Sequence, residues 1–376
     1  MKILNVVGAR PNFMKVAPLM EAYGRLPSVD PVLVHTGQHY DPEMSELFFE
    51  ELGIPEPDVN LGVGSGSHAQ QTAAIMSAFE TILLQETPDA VLVVGDVNST
   101  VACGLVAVKL EVQLIHVEAG LRSGDRSMPE EINRILTDAM SDLLFCTEES
   151  GVRNLMREGV APEKVHLVGN VMVDTVLKHL PLARASDTLD RFGLEPGKYA
   201  LLTLHRPSNV DGEDDLDGIL DALEVIQRDL PVIFPAHPRT EKMLRSKKLA
   251  ERVRRLPRLR IIPPAGYLEF VSLMDKARVV LTDSGGIQEE TTMLRVPCLT
   301  LRDNTERPVT VECGTNQLVG NKPDDILRGY SRALDFDPES ASMPPLWDGR
   351  AAERIVDLIG TQLRPTTPTA HRACEP

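Results

Sequence analysis

Asp283-Ser284-Gly285-Gly286-Ile287-Gln288-Glu289-Glu290, placed directly after the apolar run Val279-Val280-Leu281, reads as strand, tight glycine turn and helix start. Such a turn suits an anion. Backbone N–H groups at a helix N-terminus and the positive end of the helix dipole favour negative charge, and two glycines let a ligand come close to the main chain. Glu290 falls within the first two helical turns, where a carboxylate either receives ribose hydroxyls or complements the dipole. An ordinary Ser-capped helix looks the same in sequence, so the surrounding chain has to decide between the two readings.

On both sides of this stretch, short apolar runs alternate with amphipathic segments. The runs are residues 3–7, 32–35, 90–94, 114–117, 143–146 and 165–168, then 200–204, 232–234, 259–262, 279–281 and 298–301. This alternation predicts α/β domains with parallel sheets covered on both faces. Residues 69–86 show the helical side, with Ala73, Ile75, Met76, Phe79, Ile82 and Leu83 at helical spacing and Pro88 beyond the end. A break is expected at 169–174, followed by a Pro-, Arg- and Asp-containing segment over 180–197. Two doubly wound domains follow, about 1–170 and 171–345. Residues 346–363 read as a last helix returning to the first domain, and 364–376, with several prolines, as a disordered tail.

Composition narrows the function. A chain of 376 residues is too long for one core, and a net charge of −16 argues against a nucleic-acid surface or an anionic membrane as partner. An anionic ligand then needs a local basic pocket. No apolar run approaches the roughly 18 residues of a membrane span, and Lys2 to Val7 reads as a strand rather than a signal peptide, so a cytoplasmic protein is expected. The five cysteines are scattered without metal-ligand spacing and read as buried thiols.

In doubly wound sheets ligands bind beyond the carboxyl ends of the strands, and those positions carry much charge here. Arg10 and Lys15 follow the first run, Gln38 and His39 the second, Asp96 the third and Glu118 the fourth. In the second half His205 and Arg206, His237 and Arg239, Ser284-Gly285-Gly286, and Glu306-Arg307 do the same. Each has a plainer alternative. Asp96 is also placed to cap the next helix. Glu118 follows an apolar strand, where a carboxylate is costly unless paired. Glu130 and Arg134, at i,i+4 on a helix opened by Pro129, fit a surface ion pair. Lys15 is either solvated or carried into a cleft by its helix, and His205 or His237 alone would fit a hydrogen-bonded structural histidine.

Taken together, 8–15 (Gly-Ala-Arg-Pro-Asn-Phe-Met-Lys), 35–39 (His-Thr-Gly-Gln-His), Gly95-Asp96, 116–122 (His-Val-Glu-Ala-Gly-Leu-Arg), 129–134 (Pro-Glu-Glu-Ile-Asn-Arg), 282–290 and 305–308 (Thr-Glu-Arg-Pro) resemble the UDP-N-acetylglucosamine 2-epimerase family over residues 1 to about 360. The resemblance implies a GT-B-type fold of two Rossmann-like domains, usually homodimeric, with a UDP-sugar in the cleft and no nicotinamide cofactor. It implies interconversion of UDP-N-acetylglucosamine and UDP-N-acetylmannosamine through elimination of UDP to a 2-acetamidoglucal and re-addition. It places Asp96, Glu118 and Glu130 at the sugar, with Lys15 and His205 assisting the leaving group. Arg10, Ser284, Gly285, Gly286, Glu290 and Arg307 match UDP contacts, the backbone near Phe270 matches the uracil, and Arg134 belongs to the substrate side. Gln38, His39 and His237 are candidates for a regulatory second site.

Two departures stand out. Where many members have His-Arg-Arg-Glu-Asn, this chain has His205-Arg206-Pro207-Ser208-Asn209. After Gln38-His39 it has Tyr40-Asp41 in place of an arginine used for an activating second substrate, so weak or absent substrate activation is expected. Three relatives of the favoured reading remain: an epimerase of a UDP-diacetamido uronic acid, whose carboxylate Arg122 or Arg206 would meet; a hydrolysing epimerase; and a silent UDP-sugar sensor. A glycosyltransferase would need no base at C2, and Gly8-Ala9-Arg10-Pro11-Asn12-Phe13 is not the Gly-x-Gly-x-x-Gly of a dinucleotide enzyme.

Overall fold

The structure, a computed structural model, describes residues 1–38, 51–236 and 238–363, without the side chains of Arg10, Pro238, Arg239 and Lys247. The expectations for His39, His237, the Arg10 side chain, Tyr40-Asp41 and the tail 364–376 lie outside the described residues.

Two all-parallel sheets form the frame. The first runs β3 (Val59–Asn60), β2 (Asp30–His35), β1 (Lys2–Val7), β4 (Ala90–Val94), β5 (Gln113–Val117), β6 (Leu143–Cys146), β7 (Val165–Leu167). The second runs β10 (Leu259–Ile262), β9 (Val232–Pro235), β8 (Ala200–Thr203), β11 (Val279–Thr282), β12 (Cys298–Thr300), β13 (Asn316–Leu318). Both orders reverse after the first strand of the domain, which is the doubly wound arrangement the sequence predicts.

Burial on both faces explains the runs of apolar residues. In β4, Ala90, Leu92 and Val94 join one core while Val91 and Val93 join the opposite one. In the second sheet Val279 and Leu281 face one side and Val280 the other. The helices that cover these faces diverge at the point of reversal. After β1, the helix Arg10–Ala22 packs Phe13, Val16 and Leu19 on one face; after β4, the helix Asn98–Lys109 packs Ala102, Cys103 and Val106 on the other. The same split follows β8 and β11, where the helices Glu213–Asp229 and Gly285–Leu294 lie on opposite faces. A crevice therefore opens at the carboxyl end of each sheet, between β1 and β4 and between β8 and β11.

Two edge strands, β3 and β13, were not foreseen from the sequence. They have two and three residues and pair on one side only, so neither needs an apolar run. The expected break near 169–174 is instead the start of a helix, Val171–Ala185, capped by the Asn170 side chain, which accepts from Met172 N at 2.8 Å. It continues through Pro181 and packs on helices of both sheets. At the end of the chain Trp347 is buried and its Nε1 donates to Thr147 O at 3.0 Å. The helix Ala351–Gln362 then buries Ile355, Val356 and Ile359 in the core below the first sheet. Asp174 fixes its start, its carboxylate accepting from Ala351 N at 3.1 Å and Ala352 N at 2.7 Å.

Candidate active site

A cavity of about 980 Å³ joins the two crevices. From the first domain it takes Lys15, Asp96 and Glu130; from the second it takes His205, Phe270, Ser284, Gly285, Gly286, Glu290 and Arg307. Glu118 and Arg134 stand one layer behind this lining, and Gln38 is elsewhere.

Three buried charges meet at Glu118. Its Oε2 is 2.5 Å from Lys15 Nζ, and its Oε1 accepts from Arg307 Nη2 at 2.8 Å, so first-domain and second-domain cations share one carboxylate that is about 1% exposed. Glu118 also has a positive φ of 73°, a conformation costing a non-glycine residue of order 1–3 kcal/mol and found mostly where the surroundings enforce it. Gly95, with φ +66°, makes room for this group: a Cβ there would lie 2.8 Å from Lys15 Nζ. The amide of Asn12 holds the beginning of the lysine helix, its Oδ1 accepting from Gly8 N and Ala9 N and its Nδ2 donating to Val94 O, all at 3.1 Å.

Asp96 does not cap the helix after it; Val97 occupies that position without a side-chain bond. Its Oδ2 instead accepts from Arg134 Nη2 at 2.5 Å. Burial opposes its ionisation, but Arg134, Lys15 and Arg307 hold the carboxyl below the usual carboxylate range. The surface ion pair that i,i+4 spacing suggested for Glu130 and Arg134 is absent. Arg134 is buried, and its Nη1 goes to Glu131 at 2.6 Å. Glu131 in turn accepts from Ser123 N and Gly124 N, both at 2.9 Å. Glu130 makes no hydrogen bond or ion pair among the described residues and faces the cavity half-buried.

On the other wall Asp283 organises the turn. Its carboxylate accepts from His205 N and Arg206 N, and its Oδ1 is 2.7 Å from His205 Nδ1. Burial opposes ionisation there too, yet these bonds and the one from Asn209 hold its pKa low. Ser284 is the N-cap residue of the helix Gly285–Leu294, but its hydroxyl makes no capping bond. The plain capping reading therefore fails. Gly285 is required by close approach, since a Cβ would lie 2.5 Å from Arg307 Nη1. Burial and the neighbouring Glu289 push the Glu290 carboxyl up to about 8.

Arg307 is saturated by carboxylates. Besides Glu118, its Nη1 donates to Glu306 Oε1 at 2.7 Å, and its Nε lies 2.7 Å from Glu289 Oε1 as an ion pair without hydrogen-bond alignment. Arg302 also binds Glu306, through Nη2 at 2.8 Å.

Two residues singled out in the sequence lie away from the cavity wall. Gln38 is buried away from the cavity, its Oε1 accepting from Ser99 N at 3.0 Å and Ser99 Oγ at 2.7 Å, which anchors the helix Asn98–Lys109. Arg122, considered as a contact for a sugar carboxylate, is spent on Asp138 and Glu158 at 2.7 and 2.6 Å. Sequence reasoning did not single out Glu131, Asp283, Glu289, Met128 or Arg302 as site residues. The first three lie inside quoted motifs beside chosen residues. For Arg302, its place directly after an apolar run was the available signal.

A family model described as UDP-N-acetylglucosamine 2-epimerase matches residues 21–360. The UDP-N-acetylglucosamine 2-epimerase of Methanocaldococcus jannaschii is 43% identical over 364 residues, covering 96% of this chain and 99% of that protein. The UDP-2,3-diacetamido-2,3-dideoxy-D-glucuronate 2-epimerase of Pseudomonas aeruginosa is 43% identical over 337 residues, covering 89% and 92%. A crystal structure of the Methanocaldococcus jannaschii UDP-GlcNAc 2-epimerase in complex with UDP-GlcNAc and UDP superimposes with a TM-score of 0.89 at 42% identity, covering 96% of this chain and all of that one. This chain belongs to the UDP-N-acetylglucosamine 2-epimerase family.

Proposed function

We propose that this cleft interconverts UDP-N-acetylglucosamine and UDP-N-acetylmannosamine by elimination and re-addition of UDP, without a nicotinamide cofactor. One observation carries the reading: a single cavity sets Asp96 and Glu130 opposite an uncapped helix N-terminus and cationic side chains of the second domain. The C2 proton of the sugar has no adjacent carbonyl to acidify it. Departure of UDP from C1 solves the problem. A carboxylate takes the C2 proton, the C2–H electron pair forms the C1=C2 bond, and the C1–O pair leaves with UDP as a 2-acetamidoglucal forms. Return of UDP oxygen to C1, with a proton delivered to C2 on the opposite face, completes the inversion. The scheme needs a base, an acid on the other face, and stabilisation of the leaving anion.

Glu130 suits proton transfer because it faces the cavity unpaired among the described residues. Asp96, ionised and held by Arg134, is the second carboxylate at the sugar. Glu118, with both oxygens on cations, suits the support of Lys15 and of the closed cleft. The Ser284 hydroxyl and the amides of Gly285 and Gly286 suit phosphate, Glu290 the ribose, and the main chain near Phe270 the uracil. The same reading carries a homodimer in the cytoplasm. Light scattering behind size exclusion gives twice the chain mass if the homodimer holds.

A second reading has one specific support, the 43% identity to a UDP-diacetamido-glucuronate 2-epimerase. Incubation with UDP-N-acetylglucosamine, followed by ion-exchange separation, decides between them. The proposal expects UDP-N-acetylmannosamine at equilibrium with its substrate. Free N-acetylmannosamine with UDP would point to the hydrolysing enzyme, and an inert mixture to the uronic acid substrate.

A further inference from the structure

The cation that faces the leaving group is not the one its position in the motif suggests. Each nitrogen of the Arg307 guanidinium already stands against a carboxylate, of Glu118, Glu289 or Glu306. A phosphate approaching it would compete with three buried anions. Two other guanidiniums line the same cavity; Arg302 Nη2 donates to Asn304 Oδ1 at 3.0 Å and Glu306 Oε2 at 2.8 Å, yet each guanidinium keeps a nitrogen without a strong acceptor among the described residues. Arg302 is 7% exposed, and its Nη1 is buried with no hydrogen-bond partner among the described residues. Arg206 donates through Nε to Asp283 O at 3.0 Å, while among the described residues its Nη1 finds only the thioether of Met128 at 3.7 Å. Arg302 Nη2 lies 4.0 Å from the same sulfur.

The topology brings these groups together. Strands β8, β11 and β12 are neighbours, and Arg206, Ser284 and Arg302 follow their carboxyl ends in that order. Arg206 is tied to the carbonyl immediately before Ser284, so its guanidinium stands at the start of the helix Gly285–Leu294. Both guanidiniums converge on one neutral sulfur, a weak acceptor. Their shared counter-ion on this wall is Glu306, 2.8 Å from Arg302 and 3.8 Å from Arg206, which also serves Arg307. Burial first, and then the charge of Arg302, press the Arg206 guanidinium below its ordinary pKa against the opposing pull of Glu306, Glu130 and Asp283.

We propose that Arg206 and Arg302, not Arg307, hold the terminal phosphate of the nucleotide and stabilise the charge that develops on UDP as it leaves. Guanidiniums give phosphate oxygens strong, directional, charge-assisted hydrogen bonds, and those that strengthen as the C1–O bond breaks lower the barrier. Arg307 then acts as a positioning residue that joins Glu118 to the second domain. This assignment rests on the UDP-sugar reading of the cavity.

Calorimetric titration of the full chain with UDP and with UMP tests it, since UMP lacks the second phosphate. The wild-type protein should bind UDP more tightly than UMP. Arg302→Ala, and independently Arg206→Ala, should weaken UDP about tenfold or more, corresponding to about 1.4 kcal/mol, while UMP changes less than about twofold. Arg302→Lys should recover part of the loss, and kcat should fall in both alanine variants. Equal weakening of UDP and UMP would mean that Arg302 acts only by bracing Glu306, which overturns the proposal. An unchanged UDP affinity overturns it as well; if the variant then loses discrimination between UDP-N-acetylglucosamine and a UDP-hexuronate, the pair reads a sugar carboxylate instead. A wild-type chain that binds neither nucleotide would remove the UDP-sugar reading itself.

Discussion

At the residue scale the three carboxylates of the first domain differ in what surrounds them, and their variants should differ accordingly. Glu130→Gln should lower kcat on the order of a hundredfold or more, with UDP affinity and melting temperature nearly unchanged, because the Glu130 side chain braces none of the described residues. Glu118→Gln should lower kcat and stability together. It leaves Lys15 and Arg307 buried around a neutral amide, and breaking one side of a buried pair costs about 3–5 kcal/mol when a charge is stranded. Thermal melts beside steady-state rates separate the two; equal melting temperatures would contradict the role given to Glu118. These residue types and strand-end positions were legible in the sequence. The partner of each was not: spacing offered Arg134 to Glu130, whereas the fold turns its guanidinium toward Asp96 and Glu131.

Glu290 adds a pH dependence whose sign follows from its environment. Burial and Glu289 raise its folded pKa from the ordinary carboxylate value of 4.5 to about 8. The folded protein therefore holds a proton that the unfolded chain releases between those values, and the stability this gives is lost as pH rises through the window. The melting temperature should fall from pH 5 to 8.5, and Glu290→Gln should flatten that part of the slope. Glu148, raised to about 7, and Asp174, raised to about 6, both chiefly by burial, slope the same way and will leave a residue of the effect. A Gln variant with the wild-type slope would contradict the assignment.

At the scale of elements, periodicity exposed the buried strands because both faces of a parallel sheet demand apolar side chains. It missed β3 and β13, edge ladders held by main-chain bonds, and the helix Val171–Ala185, whose capping asparagine looked like part of a loop. That helix also sets the end of the chain. Asp174 provides both acceptors for the first amides of the helix Ala351–Gln362. Asp174→Ala should cost about 1–2 kcal/mol in urea unfolding, the range of a lost helix cap, and leave UDP affinity unchanged. A loss of UDP binding without loss of stability would show that the C-terminal helix serves the site in some other way.

At the scale of the whole molecule, two doubly wound sheets turn their points of reversal toward one shared cavity. The first presents carboxylates and the second a helix start with guanidiniums, joined by the Glu118–Arg307 bond across the cleft. The two-domain plan and the charged strand ends could be read from the chain, because each follows from local periodicity. That joining bond links residues 189 positions apart, and no local rule predicts it. Proton NMR of the purified chain with UDP-N-acetylglucosamine in D2O, following sugar H1 and H2, reads the C2 proton transfer itself. Elimination and re-addition should give UDP-N-acetylmannosamine carrying deuterium at C2 with its UDP linkage intact. An H2 signal that persists unchanged with no new nucleotide sugar would contradict it.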